Sequence, residues 1–179
     1  MAADLGDQAA CDIYRACVEL TLERLRSFRR ETTVCIDPPS ACSAVAGWLG
    51  SSWRMRAQEG GTLGERLAEA IQSVFGEGAG RVVVIGTDSP WLRPPDIRGA
   101  FAALTDADVV IGPAEDGGYY LIGLSRVAPE LFHGIAWGSQ QVCAQTQERA
   151  RALGLRVRLL SMGYDVDHVE DVARFVEEE

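Results

Sequence analysis

A chain of 179 residues, 47% of them apolar, is long enough for one domain with a real core and too short for two ordinary ones. Its 26 acidic against 17 basic residues leave a formal charge of -9, and a surface of that sign repels phosphate backbones and anionic headgroups, which disfavours general nucleic-acid or membrane binding. Every basic residue is arginine, so a Walker lysine, a Schiff-base lysine and a kinase-type lysine are all excluded, whether genome composition or chemistry caused the bias.

The first element read from the pattern is an amphipathic helix over 10–28. At ~100° per residue, Ala10, Ile13, Tyr14, Cys17, Val18, Thr21, Leu25 and Phe28 share one arc. Asp7 is the expected cap. A β-branched strand over 32–36 ends at Asp37-Pro38-Pro39, a helix follows over 40–49, and 53–57 reads as a strand. The loop Gln58-Glu59-Gly60-Gly61 leads into a helix with the stripe Leu63, Leu67, Ile71, Val74 and Phe75.

After a turn at 76–80, the run 81–85 has the continuous apolar character of a strand buried on both faces. Pro94-Pro95 opens a helix to Leu104, since proline suits the first helical turn. Strands are expected at 107–111, 118–124 and 155–160, and helices at 140–153 and 168–176. Strands alternating with helices argue for a mostly parallel sheet covered on both sides. No stretch approaches the ~20 apolar residues of a membrane span. The first residues lack the basic flank and apolar run of a secretory signal, and five cysteines with no Cys-x-x-Cys pair fit neither a zinc site nor a disulfide framework. A cytoplasmic location is the expectation.

In open α/β sheets, ligands bind beyond the carboxyl ends of the strands. Asp88 follows one expected strand, Glu115 and Asp116 the next, and Asp165 and Asp167 the last. Close carboxylates repel unless a cation lies among them, and hard divalent ions prefer oxygen, so Mg²⁺ or Mn²⁺ is one reading. The other is that Asp is common at strand ends because it caps helices and makes turns. Gly60 to Gly64 precedes a helix, so its backbone N–H groups could hold an anion, or simply form a helix-entry turn. Arg66 could face a phosphate or sit as a solvated surface residue.

Gly86-Thr87-Asp88-Ser89-Pro90, the run from Ile111 through Glu115-Asp116-Gly117-Gly118-Tyr119-Tyr120 to Leu124, Trp137-Gly138-Ser139 and Asp165-Val166-Asp167 occur in one order. Together they resemble the DUF2064 group of GT-A-fold nucleotide-diphospho-sugar transferases, relatives of the molybdenum-cofactor nucleotidyltransferases and sometimes labelled arsenosugar-biosynthesis glycosyltransferases. The resemblance implies a three-layer α/β/α fold with a mostly parallel central sheet, as a single domain over 1–179. It also implies a metal-dependent transferase using a nucleotide-sugar or a nucleoside triphosphate with a small-molecule acceptor. By the same resemblance Asp88 and Asp167 hold Mg²⁺ or Mn²⁺, and Gln58, Gly61 and Gly64, with Arg66, surround the nucleotide. Asp116 or Glu115 is the base if a glycosyl group moves, and Tyr119 and Trp137 stand on the acceptor side.

Thr62, Ser139 and His168 depart mildly from the family pattern. The larger departure is at the N-terminus: the family opens with a central strand and a phosphate-gripping loop, whereas this chain starts just after them at Leu5-Gly6. Without that strand two neighbours would have unpaired backbone groups, each costing roughly 1–3 kcal/mol if buried. The expectation is that either the sheet closes over the gap or the true start lies upstream. A non-catalytic remnant that keeps the fold as a binding or assembly module is the competing hypothesis.

Overall fold

Helix α1 (Asp7–Arg24) runs straight into a 3-10 turn at Leu25–Phe28, and buries Cys17, Val18, Thr21, Leu22 and Leu25. The computed structural model describes residues 5–178; residues 1–4, where the signal reading begins, and residue 179 lie outside the described residues. Asp7 does not cap α1. It is the first helical residue, with Gly6 at φ 82 before it, and there its charge suits the positive end of the helix dipole.

Strand β1 (Thr33–Ile36), helix α2 (Cys42–Leu49) and strand β2 (Arg54–Ala57) form a small parallel unit. Helix α3 (Leu63–Gly76) follows, its first turn fixed by a capping box between Thr62 and Glu65. Then come β3 (Val82–Ile85), α4 (Pro94–Ala103), β4 (Val109–Pro113), β5 (Tyr119–Leu124), α5 (Val142–Ala152), β6 (Val157–Leu159) and α6 (Val169–Glu178). Pro94 and Pro95 occupy the first positions of α4, where a missing N–H costs nothing.

The larger sheet has the order β3-β5-β4-β6. Strand β5 is antiparallel to both β3 and β4, while β4 and β6 are parallel. Hence β3, β4 and β6 all point the same way and deliver their carboxyl ends to one edge. The sheet is mostly parallel, as expected, with β5 the antiparallel member: only five residues join β4 to β5, far too few for a crossover. The strands β1 and β2 form a separate two-stranded sheet, and among the described residues no ladder joins it to the larger one.

Two apolar layers cover the larger sheet. On one face Val109, Ile111, Ile122 and Leu124 meet Ile71 of α3, Ala150 of α5, and Leu131 and Phe132 of the 3-10 turn at Pro129–Phe132. On the other, Val110, Tyr120 and Leu121 meet Val18 and Leu22 of α1 and Ile97 and Ala100 of α4. A bulge at Gly112/Pro113 resets the β4–β5 register, so the consecutive Tyr120 and Leu121 both join the second layer while Tyr119 joins the first. Gly112 is required beneath Tyr120, whose ring lies where any Cβ would stand.

Candidate active site

Two strand ends and one helix build a shallow cavity of about 160 Å³, lined by Ala10, Tyr14 and Cys17 of α1, by Asp88 after β3, and by Val166 and Asp167 after β6. Asp88 and Asp167, 79 positions apart in the sequence, thus share one hollow. The Asp88 carboxylate folds back over Gly86 so closely that a side chain there would collide with it. Tyr14 reaches the same loop, its hydroxyl 3.1 Å from that of Thr87.

The loop after β3 is stitched to the segment after β6. Val166 N donates to Asp88 O at 2.7 Å, Ser89 Oγ donates to Asp165 Oδ1 at 2.7 Å, and Trp91 Nε1 donates to Tyr164 O at 2.6 Å. Trp91 stacks on Tyr164 and meets Tyr120 edge-on, with ring centroids 5.7 and 4.8 Å apart. Gly163 leaves the room these rings fill.

Negative charge accumulates here. Burial pushes the Asp88 carboxyl above the usual range, a hydrogen bond from its own backbone opposes this, and the nearby Asp167 and Asp116 push it further. Asp165 is raised to about 6, again by burial first, against the Ser89 hydrogen bond and with the charges of Asp88, Asp116 and Asp167. The charges of Asp116 and Asp167 thus act on both of these part-buried carboxyls.

A divalent cation suits this donor set in part. Mg²⁺ is commonly held by one or two carboxylates together with water and substrate phosphate, which is what Asp88 and Asp167 at an open hollow can offer. Among the described residues no three Asp, Glu, His or Cys side chains are gathered closely enough to cage an ion alone.

The remaining expected residues fall into two groups. Asp116 is exposed, one carboxylate oxygen accepting from Gly118 N at 2.8 Å, while Glu115 is paired with Arg174 of α6 at 3.0 and 3.1 Å. Tyr119 packs into the core edge-on to Trp137, its hydroxyl buried beside Thr146, so both rings form wall rather than open surface. At the start of α3, Gly61 N and Thr62 N donate to Glu65 Oε2 at 2.8 and 2.9 Å, so these amides already have a carboxylate. Gly64 makes space for Trp137 and the Phe132 carbonyl, Gln58 Nε2 donates to Cys35 O, and Arg66 pairs with Asp37 at 2.8 Å.

Sequence reasoning missed Ser89 and the α1 contribution. Ser89 is 1% exposed. A serine flanked by Asp88 and Pro90 reads as a turn residue, and nothing in its neighbours announces a partner 76 positions away. Tyr14 and Cys17 share the apolar arc of α1, yet Tyr14 is 54% exposed; a hydroxyl on an apolar arc is the signal the sequence offers.

The three-layer arrangement, with acidic loops at the carboxyl ends of co-directional strands, defines a GT-A-type nucleotide-diphospho-sugar transferase fold. The chain belongs to the family described as an uncharacterized protein conserved in bacteria, DUF2064, whose profile matches residues 21–139. It is 30% identical over 148 residues to a phosphoenolpyruvate guanylyltransferase of Chloroflexus aggregans, a match covering 79% of this chain and 68% of that protein. A Desulfovibrio desulfuricans G20 structure assigned as a nucleotide-diphospho-sugar transferase superposes with a TM-score of 0.85 at 34% identity, covering 94% of this chain and 74% of that one. In fold alone, a Mycobacterium tuberculosis H37Rv protein solved with manganese is similar, with a TM-score of 0.59 at 19% identity, covering 91% and 86%. The protein is thus of a nucleotidyl- or sugar-transferase-like family. No helix among the described residues is long and apolar enough to cross a membrane.

Proposed function

We propose that this protein transfers a nucleotidyl group from a nucleoside triphosphate to a small anionic acceptor, using a divalent cation held by Asp88 and Asp167. The observation that carries the reading is the hollow that those two carboxylates share. A triphosphate would not approach such a site on a chain of charge -9 unless a cation came with it. Bound there, the ion would neutralise charge developing on the leaving pyrophosphate.

The chain's own groups then divide the work. Asp88 and Asp167 hold the cation. Gln58, Gly61, Gly64 and Arg66 frame the nucleotide side, and an incoming phosphate would compete with Asp37 for Arg66. Glu115, paired with Arg174, and the wall formed by Tyr119 and Trp137 frame the acceptor side. An acceptor that is already an anion, like the one in the name of the guanylyltransferase relative, attacks without a general base, so Asp116 is dispensable for this reaction.

The products decide the matter. Incubation with Mg²⁺ or Mn²⁺, nucleoside triphosphates and phosphorylated or carboxylated acceptors, followed by phosphorus NMR, should show pyrophosphate release that Asp88→Asn and Asp167→Asn abolish and Asp116→Asn spares. Release of a nucleoside diphosphate from a nucleotide-sugar, lost in Asp116→Asn, would replace this reading with glycosyl transfer. Absence of nucleotide binding with either metal would remove both.

A further inference from the structure

We infer that the Ser89–Asp165 hydrogen bond is a positioning device that sets the separation of Asp88 and Asp167, and that Asp165 acts through Ser89 rather than by binding the cation. The inference rests on the two-carboxylate site proposed above and adds the residues that hold it in shape.

Three features support it. Asp165 is absent from the cavity lining although Val166 and Asp167, its immediate successors, are part of it. Its Oδ1 is instead taken by the hydroxyl of Ser89, a side chain 1% exposed and without room to turn toward solvent. Finally, the bond lies between two others, Val166 N to Asp88 O and Trp91 Nε1 to Tyr164 O, so residues 88, 89 and 91 are fastened to 166, 165 and 164.

Asp88 is one residue from the Ser89 end of this clamp, and Asp167 two residues from the Asp165 end. The bonds to the Asp88 and Tyr164 carbonyls already join the two loops; the Ser89–Asp165 bond is the tie between side chains beside both ligands, and a two-ligand site tolerates little drift. Groups hydrogen-bonded to the ligating side chains themselves are typically worth about 10–100-fold in metal affinity, and a clamp one or two residues behind the ligands acts in the same direction.

The test is Mn²⁺ binding to the full chain, read from the electron paramagnetic resonance of free and bound ion, with thermal melts of each variant. Ser89→Ala should weaken Mn²⁺ binding about 10-fold or more and alter the bound-ion line shape. Asp165→Ala should do the same, which serves if Ser89→Ala folds poorly. Asp165→Asn keeps an oxygen that accepts from Ser89 and should restore the parental line shape with most of the affinity.

If Asp165→Asn loses Mn²⁺ as fully as Asp88→Asn, Asp165 is a ligand and the inference is overturned. It is also overturned if both alanine variants bind like the parent while Asp88→Asn does not, an outcome that leaves the site itself standing. Parental Mn²⁺ binding by Asp88→Asn would remove the site, and the positioning role with it.

Discussion

Asp88 can lie back over its own loop only because residue 86 has no side chain. Gly86→Ala should displace the flexible carboxylate rather than the backbone. The expected result is weakened Mn²⁺ binding with little change in melting temperature; a large fall in stability with intact binding would contradict it. Asp165 supplies a second prediction. Its folded-state pKa, about 6, lies above the ordinary 3.8, so the folded state holds the proton more tightly than the unfolded one. That contribution is fully present below 3.8 and is lost as pH rises through 6, where the bare carboxylate opposes folding. The melting temperature of Asp165→Asn relative to the parent should therefore rise across this interval, and added Mg²⁺ or Mn²⁺ should narrow the difference. A gap independent of pH would mean that the charge is not felt.

At the scale of elements, the capping box of α3 uses the amides that a helix start usually leaves open, so helix stability and anion affinity compete at one place. Thr62→Ala should cost about 1 kcal/mol, or roughly 2–4 °C in melting temperature for a chain of this size, measurable by calorimetry. Most elements were legible in the sequence because their periodicity is strong: the α3 stripe, the apolar run of β3 and the proline entry to α4 all fall where the pattern puts them. Strand direction was not legible from hydrophobicity, since a buried strand reads alike in either sense. The five-residue connection from Ala114 to Gly118 was the readable sign, as it permits only a hairpin between β4 and β5. Of the site, the carboxylates at strand ends could be listed from the sequence; which of them share a cavity, and that Asp165 faces Ser89, depends on packing across 76 positions or more.

Across the whole molecule, stability is unevenly distributed. Strand β4 is buried along Val109–Gly112, while β1 buries only Ile36 and no ladder ties it to the larger sheet among the described residues. Native-state hydrogen exchange should thus find the amides of β4 and β5 slowest and those of β1 and β2 markedly faster. Equal protection in the two sheets would show that the seam between them is as firm as a ladder. The molecule also contains its own optical gauge. Trp91 is fastened to a carbonyl 73 residues away and stacked beneath Tyr164, on the very clamp that sets the carboxylates. Indole emission is sensitive to such surroundings, so ligand arrival at the hollow can be followed by fluorescence in the unlabelled protein, with the other three tryptophans replaced by phenylalanine to isolate the signal.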